Sequence, residues 1–245
     1  MSQKEPLYLQ PTAMLDYGHP SVQRLVRQQG WREMPEPEGT RAIYLFVRDQ
    51  IQFGYNASDD LSASKVLADG YGQCNTKGTL LMALLRAVGI PARLHGFTIY
   101  NELQRGAIPD YLFGLAPDQI IHSWVEARVG GRWLELEGYI IDQRYLGQVQ
   151  KRFTDHRGPF YGFGIAASCL SSPDNEWTGG NTYIQKLGIA RDFGRYQQPD
   201  QFYRERGSNL SGWRRWAFRY VIRHLINLNV RRIRRGSGLP GTRFG

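Results

Sequence analysis

Three residues in this 245-residue chain have the types and spacing to do chemistry together. Cys74, one of only two cysteines, sits behind Gly72-Gln73 at the head of the run "YGQCNTKGTLLMALLRAVGIPARLHGF", Tyr71 to Phe97. A thiol in the first turn of a helix meets unpaired backbone N–H groups and the positive end of the helix dipole, and both favour a thiolate. The second stretch is "IHSWVEARV", then "GG", then "RWLELEGYI", two β-prone runs around a turn of the primed hairpin type. If Val129 and Arg132 flank that turn, Val125 faces Leu136 and Ala127 faces Leu134 on an apolar side. The opposite side then carries His122, Trp124 and Glu126 with Glu135, Glu137 and Tyr139. Glu137 lies across from Trp124 and diagonal to His122, positions whose Cβ atoms are about 7–8 Å apart. A thiol, an imidazole to exchange its proton and a carboxylate to orient the imidazole are the parts of a nucleophilic acyl-transfer site. The Cys74 backbone N–H is a first donor for the oxyanion, and the residues alone name no second.

These parts need a helix and a sheet to hold them. Apolar positions Ile43, Tyr44, Phe46, Val47 and Ile51 predict a helix from about Thr40 to Gln50, after a Pro/Glu-rich loop. Ser62 and Ser64 suit the start of a short helix that stops at Gly70. Leu80, Leu81, Leu84, Leu85 and Val88 mark the buried stripe of the helix headed by Cys74, which Gly89-Ile90-Pro91 ends. Ala92 to Tyr100 reads as a strand. From about Lys151 to Asn209 the chain is rich in Gly, Pro and aromatic residues, so loops and short strands are expected.

Mass and composition, 28.1 kDa and 41% hydrophobic, suit one well-filled core. Cys74 and Cys169 form no CxxC pair, and neither HExxH nor DxDxDG occurs, so no metal and no cofactor is expected. The N-terminus has no basic segment followed by an apolar run, and no apolar stretch reaches the roughly 20 residues of a spanning helix. A cytoplasmic location with free thiols is the expectation, with peripheral membrane attachment as a variant.

The motifs, G-x-C heading a helix, then G-I-P-A-R, then H-x-W-V-E and a carboxylate, resemble the transglutaminase-like superfamily of papain-like thiol enzymes. The resemblance spans roughly Thr40 to Gly138 and includes "VRDQIQFGYN" upstream. It implies an α+β, papain-like transglutaminase-core fold in which N-terminal helices pack on an antiparallel sheet. It also implies Cys74 as nucleophile, His122 as base and acid, and Glu137 as third member where the family usually has Asp. Active members attack a carboxamide through a thioester. Cysteine-peptidase-type hydrolysis of an amide or isopeptide bond is the leading expectation for a peptide or protein substrate. Glutamine-type transamidation and an inactive scaffold are its rivals. Trp124, Tyr71 and Tyr139 are candidate substrate-binding aromatics. His95 reads as structural, and Glu126 and Glu135 read as a solvated, mutually repelling pair.

One catalytic domain is expected over 1–209, with its motif core at 40–138, a basic amphipathic helix over 210–235 and a flexible tail over 236–245. The chain carries a net charge of +9, and arginine crowds the region between Arg204 and Arg235. Arg215, Arg219 and Arg223 share one helical face, while Trp213, Trp216, Tyr220, Val221, Leu225 and Leu228 supply an apolar side. Three readings stay open for it: a helix docked on the core with a solvated basic face, a helix on an anionic membrane surface, or a nucleic-acid contact that includes the basic run 231–235.

Overall fold

The computed structural model of the chain describes residues 5–207 and 209–237, so most of the expected tail lies outside the described residues. Helices α1 (Pro20–Gln29), α2 (Glu36–Asp49), α3 (Ala63–Asp69) and α4 (Cys74–Ala87) precede a four-stranded sheet. Its strands are β1 (Ala92–Tyr100), β2 (Gln119–Val129), β3 (Arg132–Leu136) and β4 (Ile189–Tyr196), in spatial order β3-β2-β1-β4 and antiparallel throughout. Helix α5 (Gln143–Arg152) follows the hairpin, and α6 (Pro199–Arg206) follows β4. The C-terminal helix runs through α7 (Gly212–Ala217), a π-helical turn (Phe218–Ile222) and α8 (Arg223–Arg234). This is the expected α+β architecture. No described helix is long and apolar enough to cross a membrane.

Local chemistry explains most boundaries. Helix α3 starts behind Ser62, whose side chain accepts the Lys65 N–H, and ends at Gly70 with φ 68°. Helix α2 begins at Glu36 rather than Thr40. The Pro/Glu stretch that reads as loop is a helix start, because Pro in the first turn gives up no hydrogen bond and Glu36 and Glu38 suit the positive end of the dipole. Gly130 and Gly131 hold φ of 57° and 78°, as a type I′ turn requires, and the pairs Val125–Leu136 and Ala127–Leu134 form in the expected register.

Helix α4 is buried on every side, not along one stripe alone. Helices α1, α2 and α3 pack around it, and β1 and β2 cover the remainder. Its polar residues therefore need internal partners. Lys77 Nζ donates to the carbonyls of Arg48 (3.1 Å) and Ile140 (2.9 Å), and burial pushes its pKa down to about 7. Arg86 reaches the carbonyls of Ala92, Gln10 and Gln197.

Gly78 lets the helix meet its neighbours. A Cβ there would lie 2.6 Å from Tyr139 Oη, whose hydroxyl donates to the Cys74 carbonyl at 3.2 Å. Gly78→Ala is expected to lower unfolding free energy by about 1–3 kcal/mol, the usual range for overpacking. Urea denaturation checks this, and Tyr139→Phe in the same chain should recover part of the loss.

Candidate functional site

Cys74 is the first residue of α4, with Gln73 as N-cap. The start of the helix is fastened from several sides. Gln73 N–H donates to Thr76 Oγ1 (3.2 Å), and Thr76 Oγ1 donates to Asn56 Oδ1 (2.6 Å). The half-buried Asp59 carboxylate accepts from Gln73 Nε2 and Asn75 Nδ2, both at 3.0 Å, and desolvation raises its pKa. Asn75 also donates to the Ile121 carbonyl (3.1 Å) and accepts from Ser123 Oγ (3.0 Å), which ties the helix start to β2 on either side of His122.

His122 and Glu137 are both fully buried, and His122 Nε2 donates to Glu137 Oε1 at 2.8 Å. The other carboxylate oxygen accepts the backbone N–H of Ile184 (2.9 Å) and Gln185 (3.0 Å). The β2–β3 ladder ends at Val125–Leu136, so Glu137 lies just beyond it, at φ −122° and ψ −29°. From there its side chain still reaches the imidazole on β2. Ring nitrogen Nδ1 is buried and meets no nitrogen or oxygen partner. Burial by itself pushes the imidazole's pKa down. The charge and hydrogen bond of Cys74, followed by those of Glu137, outweigh it and raise the value from 6.5 to about 9. The sequence-derived trio is thus brought together in space, with the imidazole between the thiol and the carboxylate.

The three aromatic candidates lie elsewhere. A cavity of about 140 Å³ opens beside Cys74, and neither Trp124, Tyr71 nor Tyr139 lines it. Trp124 stacks on Phe97 with ring centroids 4.2 Å apart and covers the sheet. Tyr139 braces α4 from within the core. Tyr71 accepts a hydrogen bond from Arg223 Nη1 (3.1 Å). Their place is taken by Tyr55, Asn101, Gln104, Ile108 and Ile121, with Trp213, Phe218, Ile222 and Ile226 of the C-terminal helix as a roof. The Tyr55 hydroxyl donates to Gln104 Oε1. Burial raises its pKa, and the nearby Cys74 adds to the rise. Tyr55 stands in the upstream "FGYN" stretch and was legible as part of the motif region. Gln104 and the helix roof carry no local signal.

The remaining polar features are structural. Glu126 is buried rather than solvated: Arg93 Nε (2.6 Å), Arg195 Nε (2.9 Å) and His95 Nδ1 (3.0 Å) surround its carboxylate. Burial would raise its pKa, but His95, Arg93 and Arg195 outweigh that and hold it below the usual value. Glu135 accepts instead from the Tyr183 hydroxyl. His95, Glu126 and Glu135 offer ligand atoms within 4.8 Å of one another, but the two guanidinium groups on Glu126 oppose a cation there. Cys74 and Cys169 are both free thiols.

Residues 23–138 match the sequence profile of the transglutaminase-like superfamily. That stretch is similar to a transglutaminase-like core. The core holds helices α2 to α4 and the β1–β3 part of the sheet, and with them Cys74, His122 and Glu137. Among solved structures, the chain is similar to a protein from Cytophaga hutchinsonii provisionally described as a cysteine protease. The identity is 14% and the TM-score 0.48, over 82% of this chain and 49% of that one. It is also similar to red sea bream transglutaminase, with 14% identity and a TM-score of 0.31 over 56% of this chain and 26% of that one. The chain thus spans about half the length of the first relative and about a quarter of the second. No curated protein matches it.

The His122 imidazole is expected to titrate near pH 9 in the intact protein, as read by NMR of labelled histidine. Its protonated form is the one stabilised, so removing either neighbour must lower the value. Glu137→Gln and Cys74→Ser should each move it down toward or below 6.5, since burial then prevails.

Proposed function

We propose that the protein is a thiol-dependent hydrolase of amide or isopeptide bonds, of the cysteine-peptidase kind, with Cys74, His122 and Glu137 as its reacting chain. The observation that carries this reading is the buried imidazole held between Glu137 and the Cys74 thiol, with the thiol at the edge of a cavity. At neutral pH a pKa of about 9 keeps His122 largely as imidazolium, the form that pairs with a thiolate and can later give up its proton.

Attack of the Cys74 thiolate on the amide carbonyl forms a C–S bond and moves the carbonyl electron pair onto oxygen. The Cys74 backbone N–H, unpaired at the helix start, faces that developing charge. The Tyr55 hydroxyl, which at rest donates to Gln104, is the second donor in this reading. His122 passes its proton to the departing amine as the C–N bond breaks and a thioester remains. Water passes a proton to the now neutral His122 and attacks the thioester carbonyl; the C–S bond then breaks, the acid leaves and the thiolate–imidazolium pair is restored. Glu137 keeps the Nε2–H tautomer throughout and holds the ring in place.

Cys74→Ala is expected to abolish turnover and the acyl adduct that mass spectrometry finds on the Cys74 peptide after incubation with a peptide mixture. Glu137→Gln should retain the adduct and lower kcat by about 10²–10⁴, because the ring loses its orienting charge. An adduct on no residue would overturn the hydrolase reading. Release of an amide on added amine, with no free acid, would overturn water as acceptor in favour of transfer.

A further inference from the structure

The C-terminal helix presents outward the apolar side that the docked-helix reading would have buried. Trp213, Trp216, Tyr220, Val221, Leu225 and Leu228 are between 39% and 69% exposed. The docked side is a second apolar stripe of Phe218, Ile222, Ile226, Val230 and Ile233. Polar contacts fasten that side as well: Asn227 accepts from Tyr55 N–H (2.7 Å) and donates to its carbonyl (2.9 Å), and Arg234 pairs with Asp142 at 2.9 Å.

The charge of this segment is just as one-sided. Nine arginines and no lysine, aspartate or glutamate follow Gly207, which matches the +9 of the whole chain, so the residues before it are formally balanced. Arg214, Arg215, Arg219, Arg231, Arg232 and Arg235 are exposed. A fixed helix with an uncovered aromatic and aliphatic face among arginines fits the boundary of an anionic bilayer, where rings and branched chains enter the acyl region and guanidinium groups meet phosphates. A nucleic-acid backbone would use the arginines but leave Val221, Leu225 and Leu228 without a partner. The same helix roofs the cavity at Cys74. That cavity of about 140 Å³ is close in size to apolar cavities of about 150 Å³ that take a benzene-sized group.

We propose that the outward face of the C-terminal helix seats the protein on an anionic lipid surface, from which an amide bearing an apolar group reaches Cys74, with that group in the cavity. The lipid contact stands on its own, and the substrate part rests on the hydrolase reading. Full-length protein is floated with vesicles of phosphatidylcholine alone or mixed with phosphatidylglycerol. The expected result is at least tenfold more binding to the anionic vesicles, weakened by salt. Trp216→Ala with Tyr220→Ala and Leu228→Ala should reduce it at least tenfold with an unchanged circular dichroism spectrum, since these residues are exposed and do not line the cavity. Arg231→Gln with Arg232→Gln should reduce it to a similar extent, at about fivefold per arginine.

Cys74→Ala should float like the parent, which separates lipid binding from the chemistry. Equal binding to both vesicle types, no flotation, or binding to RNA alone would overturn the surface. The cavity is read in a Cys169→Ser background, because Cys169 is a competing thiol whose pKa Ser171 and Ser172 lower to about 7. Cys74 alkylation by N-hexyl iodoacetamide should exceed that by N-methyl iodoacetamide at least tenfold, and Ile226→Trp should erase the difference. Equal rates in the parent would overturn the apolar subsite. Equal and slow rates that His122→Ala leaves unchanged would overturn the hydrolase reading instead.

Discussion

A carboxylate and an imidazole buried together, with no exposure to water, are the constraint around which the rest is arranged. Desolvating two ionisable groups is unfavourable by several kcal/mol per ion unless hydrogen bonds and opposite charge replace the lost water. Glu137 receives three such bonds, one from His122 and two from the Ile184–Gln185 backbone. The last two come from a segment far along the chain that also exchanges backbone hydrogen bonds with Glu135 and Glu137 through Thr182. The irregular stretch between α5 and β4 is therefore not filler, because it completes the carboxylate's coordination and closes the end of the hairpin.

The same logic explains why the central helix is so polar for its depth. Asn75, Thr76, Lys77, Thr79 and Arg86 all lie in the core, and each has a hydrogen-bond partner. An apolar helix of equal volume would bury as much surface, but it would slide or rotate with little penalty. Directional bonds to Asp59, Asn56, Ser123 and the Ile140 carbonyl permit one rotation and one height, and so one position for the Cys74 sulfur relative to the His122 ring. Under the proposed reaction this preorganisation matters, because a nucleophile and its base must meet to within fractions of an ångström.

Joining the C-terminal helix to the cavity couples two parts of the chain that are remote in sequence. Tyr55, at the cavity wall, exchanges both backbone hydrogen bonds with Asn227 of that helix. The π-helical turn at Phe218–Ile222 lowers the rotation per residue midway, so the stripe that docks and the stripe that stays outside are not the two faces of a simple α-helical wheel.

Short-range chemistry was legible from residues alone. The Gly130-Gly131 turn, the hairpin register it imposes, the Ser62 and Gly70 caps and the strand from Ala92 to Tyr100 all follow from local conformational preference. Because the side-chain period of a strand is two, that register predicted His122 and Glu137 on one side of the sheet; the ladder stops one pair short, at Val125–Leu136, and Glu137 reaches His122 from just beyond it. The motif order then linked them to Cys74 and to the transglutaminase-like superfamily. Long-range choices were not legible. Which apolar stripe of the C-terminal helix docks, which aromatic rings wall the cavity, that Glu126 is enclosed by Arg93, His95 and Arg195, and that α4 is surrounded on every side all depend on which surfaces meet. A sequence lists the groups each element can offer. Only packing decides which of them lose their water, and that loss separates a solvated charge from a buried pair and a core aromatic from an exposed one.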